Sequence, residues 1–113
     1  MRPEATDYLR AAIKGASLRQ TAIANNIANM NVPGYRRGSV AFEQTLASAI
    51  QNDSDSIDDV HPLLVQAAPA ADGSSGVNID QEVGELMKNS AMFKSYFRLL
   101  NKMIQQAETA IGQ

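Results

Sequence analysis

Several things are scarce or missing in this chain of 113 residues, and each absence excludes a class of function. There is no cysteine and no tryptophan. Without cysteine there is no disulfide framework, no thiolate zinc site and no thiol nucleophile. The one histidine, His61, rules out a multi-histidine metal centre. It precedes Pro62 and has no serine or cysteine partners in a catalytic pattern. Excess positive charge is missing too: ten Lys and Arg against twelve Asp and Glu leave a net charge of −2. A nucleic-acid binder needs a basic surface to displace counterions from phosphate, usually with interleaved aromatics, so no nucleic-acid partner is expected. No apolar run approaches the roughly 20 residues of a membrane span, so no membrane insertion is expected. Residues 9–16 are broken by Arg10 and Lys14, which leaves no apolar stretch of the kind that marks a cleaved secretory signal. At this length a single domain is expected.

What is present is helical periodicity at both ends. Ile79, Val83, Leu86, Ser90, Phe93, Phe97, Leu100, Ile104, Ala107 and Ile111 alternate spacings of four and three, one stripe along a helix, and only Ser90 is polar. A flanking row of Met92, Tyr96, Leu99, Met103 and Ala110 makes the apolar face wider than a two-stranded seam requires. Asn78 or Asp80 is placed to cap the start, Asp80, Glu82 and Glu85 suit the first turns, and Gly112 is a stop. The spacing predicts a helix over 79–113. A second, weaker stripe, Leu9, Ile13, Ala16, Gln20, Ile23, Ile27 and Met30, predicts a helix over 1–31, with Gly15 weakening its middle. Asn29 or Asn31 is expected to end it in a left-handed conformation, since Pro33 does not continue a helix easily.

Residues 32–78 read as a loop or arm. Val32-Pro33-Gly34-Tyr35 has the chemistry of a type II turn, with Pro33 presetting φ and Gly34 supplying a positive φ. Ser39 to Ile50 fits either a short helix or an extended arm, and Pro62 to Val65 fits a short strand. Residues 66–76 have the composition of a flexible linker. The fold expected is mainly α: two long terminal helices forming a coiled-coil-like pair. A long, partly disordered loop with room for one short β segment joins them. A 33-residue helix is about 50 Å long, whereas a compact chain of this size is roughly 35 Å across. The expectation is therefore one elongated unit whose exposed apolar flank serves assembly.

Chemistry is thin. Asp53, Asp55, Asp58 and Asp59 beside His61 suggest calcium, but an EF-hand starting at Asp53 needs Gly at position 58 and Glu at 64, where this chain has Asp58 and Leu64. A solvated loop is the better reading. Arg36 and Arg37, with Arg19 and Lys14 upstream, form a modest basic patch suited to an acidic partner surface. Phe93 and Phe97 read as packing residues, and no catalytic residue, metal or cofactor is assigned.

The asparagine cluster carries more. Ala24-Asn25-Asn26-Ile27-Ala28-Asn29 is followed, after Met30, by Asn31-Val32-Pro33-Gly34-Tyr35. This closely resembles the N-terminal signature of bacterial flagellar axial proteins, in which Thr usually stands where this chain has Val32. Residues 76–82 with Lys88-Asn89 resemble the end of flagellar basal-body rod proteins of the proximal type. The likeness spans roughly residues 9–46 and 76–111. Hook and distal-rod relatives carry a central domain that 113 residues cannot hold, and a closely related rod type usually lacks the Pro33-Gly34 turn.

The resemblance implies a structural subunit that leaves the cytoplasm through the flagellar type III export apparatus without a cleaved signal. Such a subunit polymerises helically in the periplasm as part of the shaft transmitting torque from motor to hook. Implied partners are other rod proteins, the protein at the junction of rod base and membrane ring, and further copies of the chain. The signature residues are Ala24, Asn25, Asn26, Ile27, Ala28, Asn29, Asn31, Pro33, Gly34 and Tyr35. The assembly face is Ile79, Val83, Leu86, Phe93, Phe97, Leu100, Ile104 and Ile111. A soluble helical adaptor, resembling an export chaperone and using the same stripes for one partner, is the alternative.

Overall fold

The computed structural model describes residues 4–52 and 61–112. Helix α1 (Ala5–Ala28) leads into strand β1 (Gly38–Ala41), helix α2 (Glu43–Gln51), strand β2 (Leu63–Gln66) and helix α3 (Ile79–Ile111). The expected acidic cluster at Asp53, Asp55, Asp58 and Asp59 lies outside the described residues.

α1 and α3 run antiparallel. Asn26 meets Glu82, while Ala16 and Gln20, one to three turns earlier, meet Asn89, a register that falls on one chain as it rises on the other. α3 is longer by nine residues, and every described residue beyond Met103 is exposed. The molecule measures 63 × 26 × 15 Å with a radius of gyration of 17.4 Å, against about 13 Å for a compact chain of this length. It is elongated, as the helix length required.

α3 starts where its chemistry says. Asn78 caps it, its side-chain oxygen accepting from Asp80 N–H at 2.9 Å and Gln81 N–H at 3.3 Å. α1 ends at Ala28, three residues earlier than expected. Asn29 supplies no left-handed cap: it sits at φ −106°, and its side-chain amide donates to Asn25 C=O at 2.8 Å. That carbonyl also accepts the Asn29 backbone N–H at 3.1 Å, so the main chain and side chain of one residue close the helix together.

The reversal comes at the next turn. Tyr35 N–H donates to Val32 C=O at 3.2 Å, and Gly34 holds φ +77°. A Cβ at Gly34 would meet nothing within 4 Å, so the constraint is conformational only. Gly34→Val is expected to destabilise the fold by about 1–2 kcal/mol through the left-handed penalty of a side chain. Urea unfolding checks this, and a variant as stable as the parent would show that the turn relaxes.

The segment between the helices departs from the reading of its composition. Residues 39–50 form neither a single helix nor an arm but a strand followed by a helix. β1 pairs antiparallel with β2, Gly38 opposite Gln66 and Ala41 opposite Leu63. Residues 66–76 are not a free linker. Ala67 N–H donates to Arg37 C=O at 2.8 Å, Gly34 N–H to Gly73 C=O at 3.0 Å, and Ser75 Oγ to Met30 C=O at 2.5 Å. Small polar residues allow this because each turn closes on the backbone of α1's exit rather than through an apolar core.

The buried apolar residues are Leu9, Ala12, Ala16, Ala22, Ile23, Val40, Phe42 and Ala49. Half of them are alanines, which bury little area each, so this core is thin for 113 residues. Phe42 is its centre. Its ring lies on Gly15, where an added Cβ would come within 2.4 Å of Phe42 Cδ1. Gly15 thus admits the ring rather than merely weakening the helix.

Candidate functional site

Two features of the helix pair stand apart from ordinary packing: a buried polar junction at one end and an exposed apolar stripe along α3.

The junction is built on Asn26, which is fully buried. An amide side chain offers two N–H donors and two oxygen lone pairs. All are used. Nδ2 donates to Gly38 C=O at 2.7 Å and to Glu82 Oε2 at 3.2 Å, and Oδ1 accepts from Gly38 N–H at 2.8 Å and from Tyr35 O–H at 3.0 Å. Asn26 therefore pairs with the end of β1 as a neighbouring strand would, and ties α1 to α3 in the same step. Glu82, also fully buried, accepts from Arg37 Nε through Oε1. Four elements of the chain (α1, the turn, β1 and α3) converge on these few polar atoms. Buried charge is tolerated only when paired and hydrogen-bonded, and both conditions are met.

This sorts the asparagine cluster by role. Asn26 is the junction, Asn29 closes the helix, and Asn25 and Asn31 are exposed, as are Ala24, Ala28, Pro33 and Gly34. Sequence reasoning singled out the cluster as a signature and assigned no partner to any of its amides. It missed Glu82 as the partner, because a glutamate in a helix's first turns reads as a dipole-complementing surface residue.

The expected basic patch does not form as such. Arg37 is used by Glu82. Arg19 donates to Val40 C=O at 2.6 Å, pairs with Glu43 and lies over the Phe42 ring, 4.9 Å from its centroid. Arg36 Nε donates to Ala67 C=O at 2.7 Å. Arg19 and Arg37 are thus taken up by the fold, whereas Arg36 and Lys14 stay exposed. The hydrogen bond from Arg19 holds the Glu43 carboxyl below its ordinary 4.5, against a smaller opposing push from burial. Stability from this contact is complete above pH 4.5 and is lost as pH falls through the lowered value. It is small, because half the Glu43 side chain is open to solvent.

Farther along the seam, Asn89 is buried and donates through Nδ2 to Ala16 C=O and Gln20 Oε1, both at 2.8 Å. Its Oδ1 has no partner among the described residues. Asn89 also lines an open groove of about 530 Å³ with Arg19, Glu43, Glu85 and Lys88. The mixed charge of that lining assembles no convergent set for a metal or a nucleophile. Among the described residues no group of three or more metal-ligating side chains comes together.

The stripe is the second feature. The only fully buried residues of α3 are Glu82 and Asn89, seven apart, so its seam with α1 runs along the row of 82, 89 and 96. The row expected from hydrophobicity is rotated away from α1. Ile79, Val83, Phe97, Ile104 and Ile111 are exposed, and Leu86, Phe93 and Leu100 are half-buried. Phe93 and Phe97 stack with ring centroids 5.8 Å apart. The row expected as the assembly face is thus left largely exposed among the described residues.

A family model described as flagella basal body rod protein matches residues 9–36, the stretch that holds Gly15, Asn26 and the Pro33-Gly34 turn. The chain is also similar to flagellar basal body rod proteins FlgB. It is 25% identical to that of Borreliella burgdorferi over 127 aligned residues, covering 88% of this chain and 94% of the relative. It is 26% identical to that of Bacillus subtilis over 115, covering 91% and 89%. A shorter match to that of Borrelia hermsii is 51% identical over 37 residues, covering 33% and 27%.

Proposed function

We infer that this chain, similar to flagellar basal body rod proteins of the FlgB type, is a structural subunit of the proximal rod. It polymerises helically and forms part of the shaft that carries torque from motor to hook. Its work is mechanical and no reaction is assigned to it. The single observation that carries the reading is the uncovered stripe of α3. An apolar row of this length, largely exposed among the described residues, is a contact surface for other molecules. An elongated unit that offers one face to a different face of its neighbour builds an open filament, because such a contact does not close. The thin core fits the same account. Coverage of the stripe in the assembled rod supplies burial that the isolated chain lacks. A soluble adaptor uses the same stripe once, but relatives that are rod proteins do not favour it.

Two finer statements belong to this reading. The subunit reaches the periplasm through the flagellar type III export apparatus without signal cleavage. Its neighbours are other rod proteins and the protein joining rod base to membrane ring.

The test is Phe97→Asp. A carboxylate in the centre of a buried contact costs several kcal/mol unless paired, while on an exposed helix face of the free chain it costs about 0.5 kcal/mol or less. Cells carrying the variant are expected to hold normal amounts of the chain, to lack it in purified basal bodies and to be non-motile. Motile cells with the variant in intact rods would remove the stripe from assembly.

A further inference from the structure

The hairpin of β1 and β2 has one finished edge and one open edge, and its register fixes which backbone groups each carries. Gly38 stands opposite Gln66 and Val40 opposite Leu64. In an antiparallel ladder successive residues turn their N–H and C=O to opposite sides. Gly38 gives both groups to the Asn26 side chain, and Val40 C=O accepts from Arg19, so these two residues face away from β2. Arg37 C=O accepts from Ala67 N–H, so the alternate set faces β2. Leu63 and Val65 therefore spend their backbone groups on β1, whereas Leu64 and Gln66 direct theirs outward. Side chains of α1 finish the β1 edge. Among the described residues no strand lies beside the outer edge of β2.

That edge is apolar and uncharged. Leu63, Leu64 and Val65 are 63%, 62% and 42% exposed, three large apolar residues in a row. Residues 62–69 carry no charge. Proteins ordinarily protect a free edge with lysine, a bulge or proline. The device here is Pro62, whose missing N–H falls in the outward set with Leu64 and Gln66. β2 also stands off the bundle. A groove of about 170 Å³ lined by Leu18, Ala22, Pro62 and Leu64 lies between it and α1, so a further strand has room to come alongside.

We propose that a second copy of this chain adds its own β2 to this edge, antiparallel about a two-fold axis at Val65, and so joins the two hairpins into one four-stranded sheet. Donors set the register. Leu64 and Gln66 each carry an N–H and a C=O outward, and Pro62 bounds them on one side. A copy turned end for end presents the same two residues at the same spacing. Leu64 then meets Gln66 of the second copy, Gln66 meets its Leu64, and each pair exchanges both backbone bonds. A longer strand from an unlike protein would run onto Pro62 and leave an acceptor there without a donor. No like charges are brought together. Val65 sits opposite its own copy in the close type of antiparallel pair, where β-branched side chains pack well, and Leu63 lies beside Ala67 of the second copy. A lone two-stranded hairpin is marginal in water, and further strands make the sheet self-supporting. The contact is isologous, so it closes at two copies and builds no filament. It uses neither Phe97 nor the rest of the α3 stripe and stands independently of the rod reading.

The chain has no cysteine, so a single introduced thiol reports its own neighbour. Val65→Cys places two sulfurs across the axis on residues whose Cα atoms lie about 4.5 Å apart, within the roughly 4.4–6.8 Å that a disulfide spans. Leu63→Cys, on the same face of the same strand, puts the two Cα atoms roughly 14 Å apart at about 3.4 Å per residue. Met87→Cys, on the exposed side of α3, measures random collision. In a glutathione redox buffer, read by non-reducing electrophoresis, Val65→Cys is expected to form linked dimer about tenfold faster than either control. Sedimentation velocity on the parent chain is expected to show a monomer–dimer equilibrium. Leu64→Pro is expected to weaken it about tenfold or more, because it removes one outward N–H from each copy and leaves the pairing with β1 whole. Circular dichroism establishes that this variant is folded. If it is not, Val65→Lys replaces it, setting like charges across the axis with the backbone intact.

Equal linkage at the three positions, a maximum at Leu63, or a dimer indifferent to the folded edge variant overturns the proposal. So does a parent chain that stays monomeric while Val65→Cys links no faster than the controls. Phe97→Asp added to Val65→Cys is expected to leave the linkage rate unchanged, so the edge and the stripe fail separately. Linkage lost with Phe97→Asp would trace the contact to the stripe and overturn the proposal. A benzophenone on the thiol of the Val65→Cys chain that links to an unlike protein in cell extract, and not to a second copy, would give the edge to that protein and overturn it as well.

Discussion

Asn26→Ala is expected to lower stability by about 3–5 kcal/mol, a large share of the roughly 5–15 kcal/mol that holds a domain of this size. The substitution removes few apolar contacts. What it strands is decisive. Gly38 N–H and C=O, the Tyr35 hydroxyl and Glu82 Oε2 all lose their partner at once, in a place with little access to water. A buried polar group without a partner costs about 1–3 kcal/mol, and a buried carboxylate costs more. With an m-value of about 1–3 kcal/mol per molar urea, the midpoint should fall by on the order of 2 M. Asn25→Ala is the control: that side chain is exposed, and the change is expected within about 0.5 kcal/mol. Equal effects at the two positions would mean that the cluster acts through helix propensity rather than through the junction. Asn26→Asp is expected to be no milder than Ala. It loses both donors and sets a second carboxylate beside Glu82.

Phe42→Ala is the other large effect, expected at about 3–5 kcal/mol. The ring is 1% exposed and is the largest side chain in a core otherwise rich in alanine, so nothing nearby is long enough to fill the space. Gly15→Ala acts on the same contact from the other side. Helix propensity alone favours alanine there by about 1 kcal/mol. The added Cβ, however, would sit 2.4 to 2.6 Å from three atoms of the ring. The ring is confined by the packing of α1, β1 and α2 and cannot step aside freely, so overpacking is expected to win by about 1–2 kcal/mol net. The pair is coupled. In the Gly15→Ala, Phe42→Ala double variant the methyl enters a vacated site, so the combined loss should fall short of the sum by about 1 kcal/mol or more. Chemical denaturation of the four chains measures this. Strict additivity would show that the close approach is not what makes Gly15 necessary.

Both effects lie in places where residue type and role part company. Gly15 reads as a flaw in a helix, and Glu82 reads as a surface acid at a helix start. Neither reading is wrong about local chemistry. Each lacks the partner that reaches it from elsewhere in the chain: Phe42 onto Gly15, Arg37 and Asn26 onto Glu82. The stripe of α3 likewise lacks its partner in any local reading. Its periodicity reports a helix with an apolar face, but periodicity carries no label for the neighbour that covers it.

The division is physical. Local rules depend on a residue and those within one turn of it, so the sequence alone determined the two long helices, a cap at Asn78 or Asp80, the Pro33-Gly34 turn and the strand near residue 63. The elongated shape followed from the length of the last helix. The motif of residues 24–35 carried the resemblance to flagellar rod proteins for the same reason, being contiguous. Only the tertiary structure decided which row of α3 meets α1, and it chose a seam holding two buried polar residues over the more apolar row beside it. Glu82 and Asn89 need specific donors and acceptors at fixed positions, which α1, the turn and β1 provide. Apolar side chains need only to be covered, and a second molecule serves that need as well as the first.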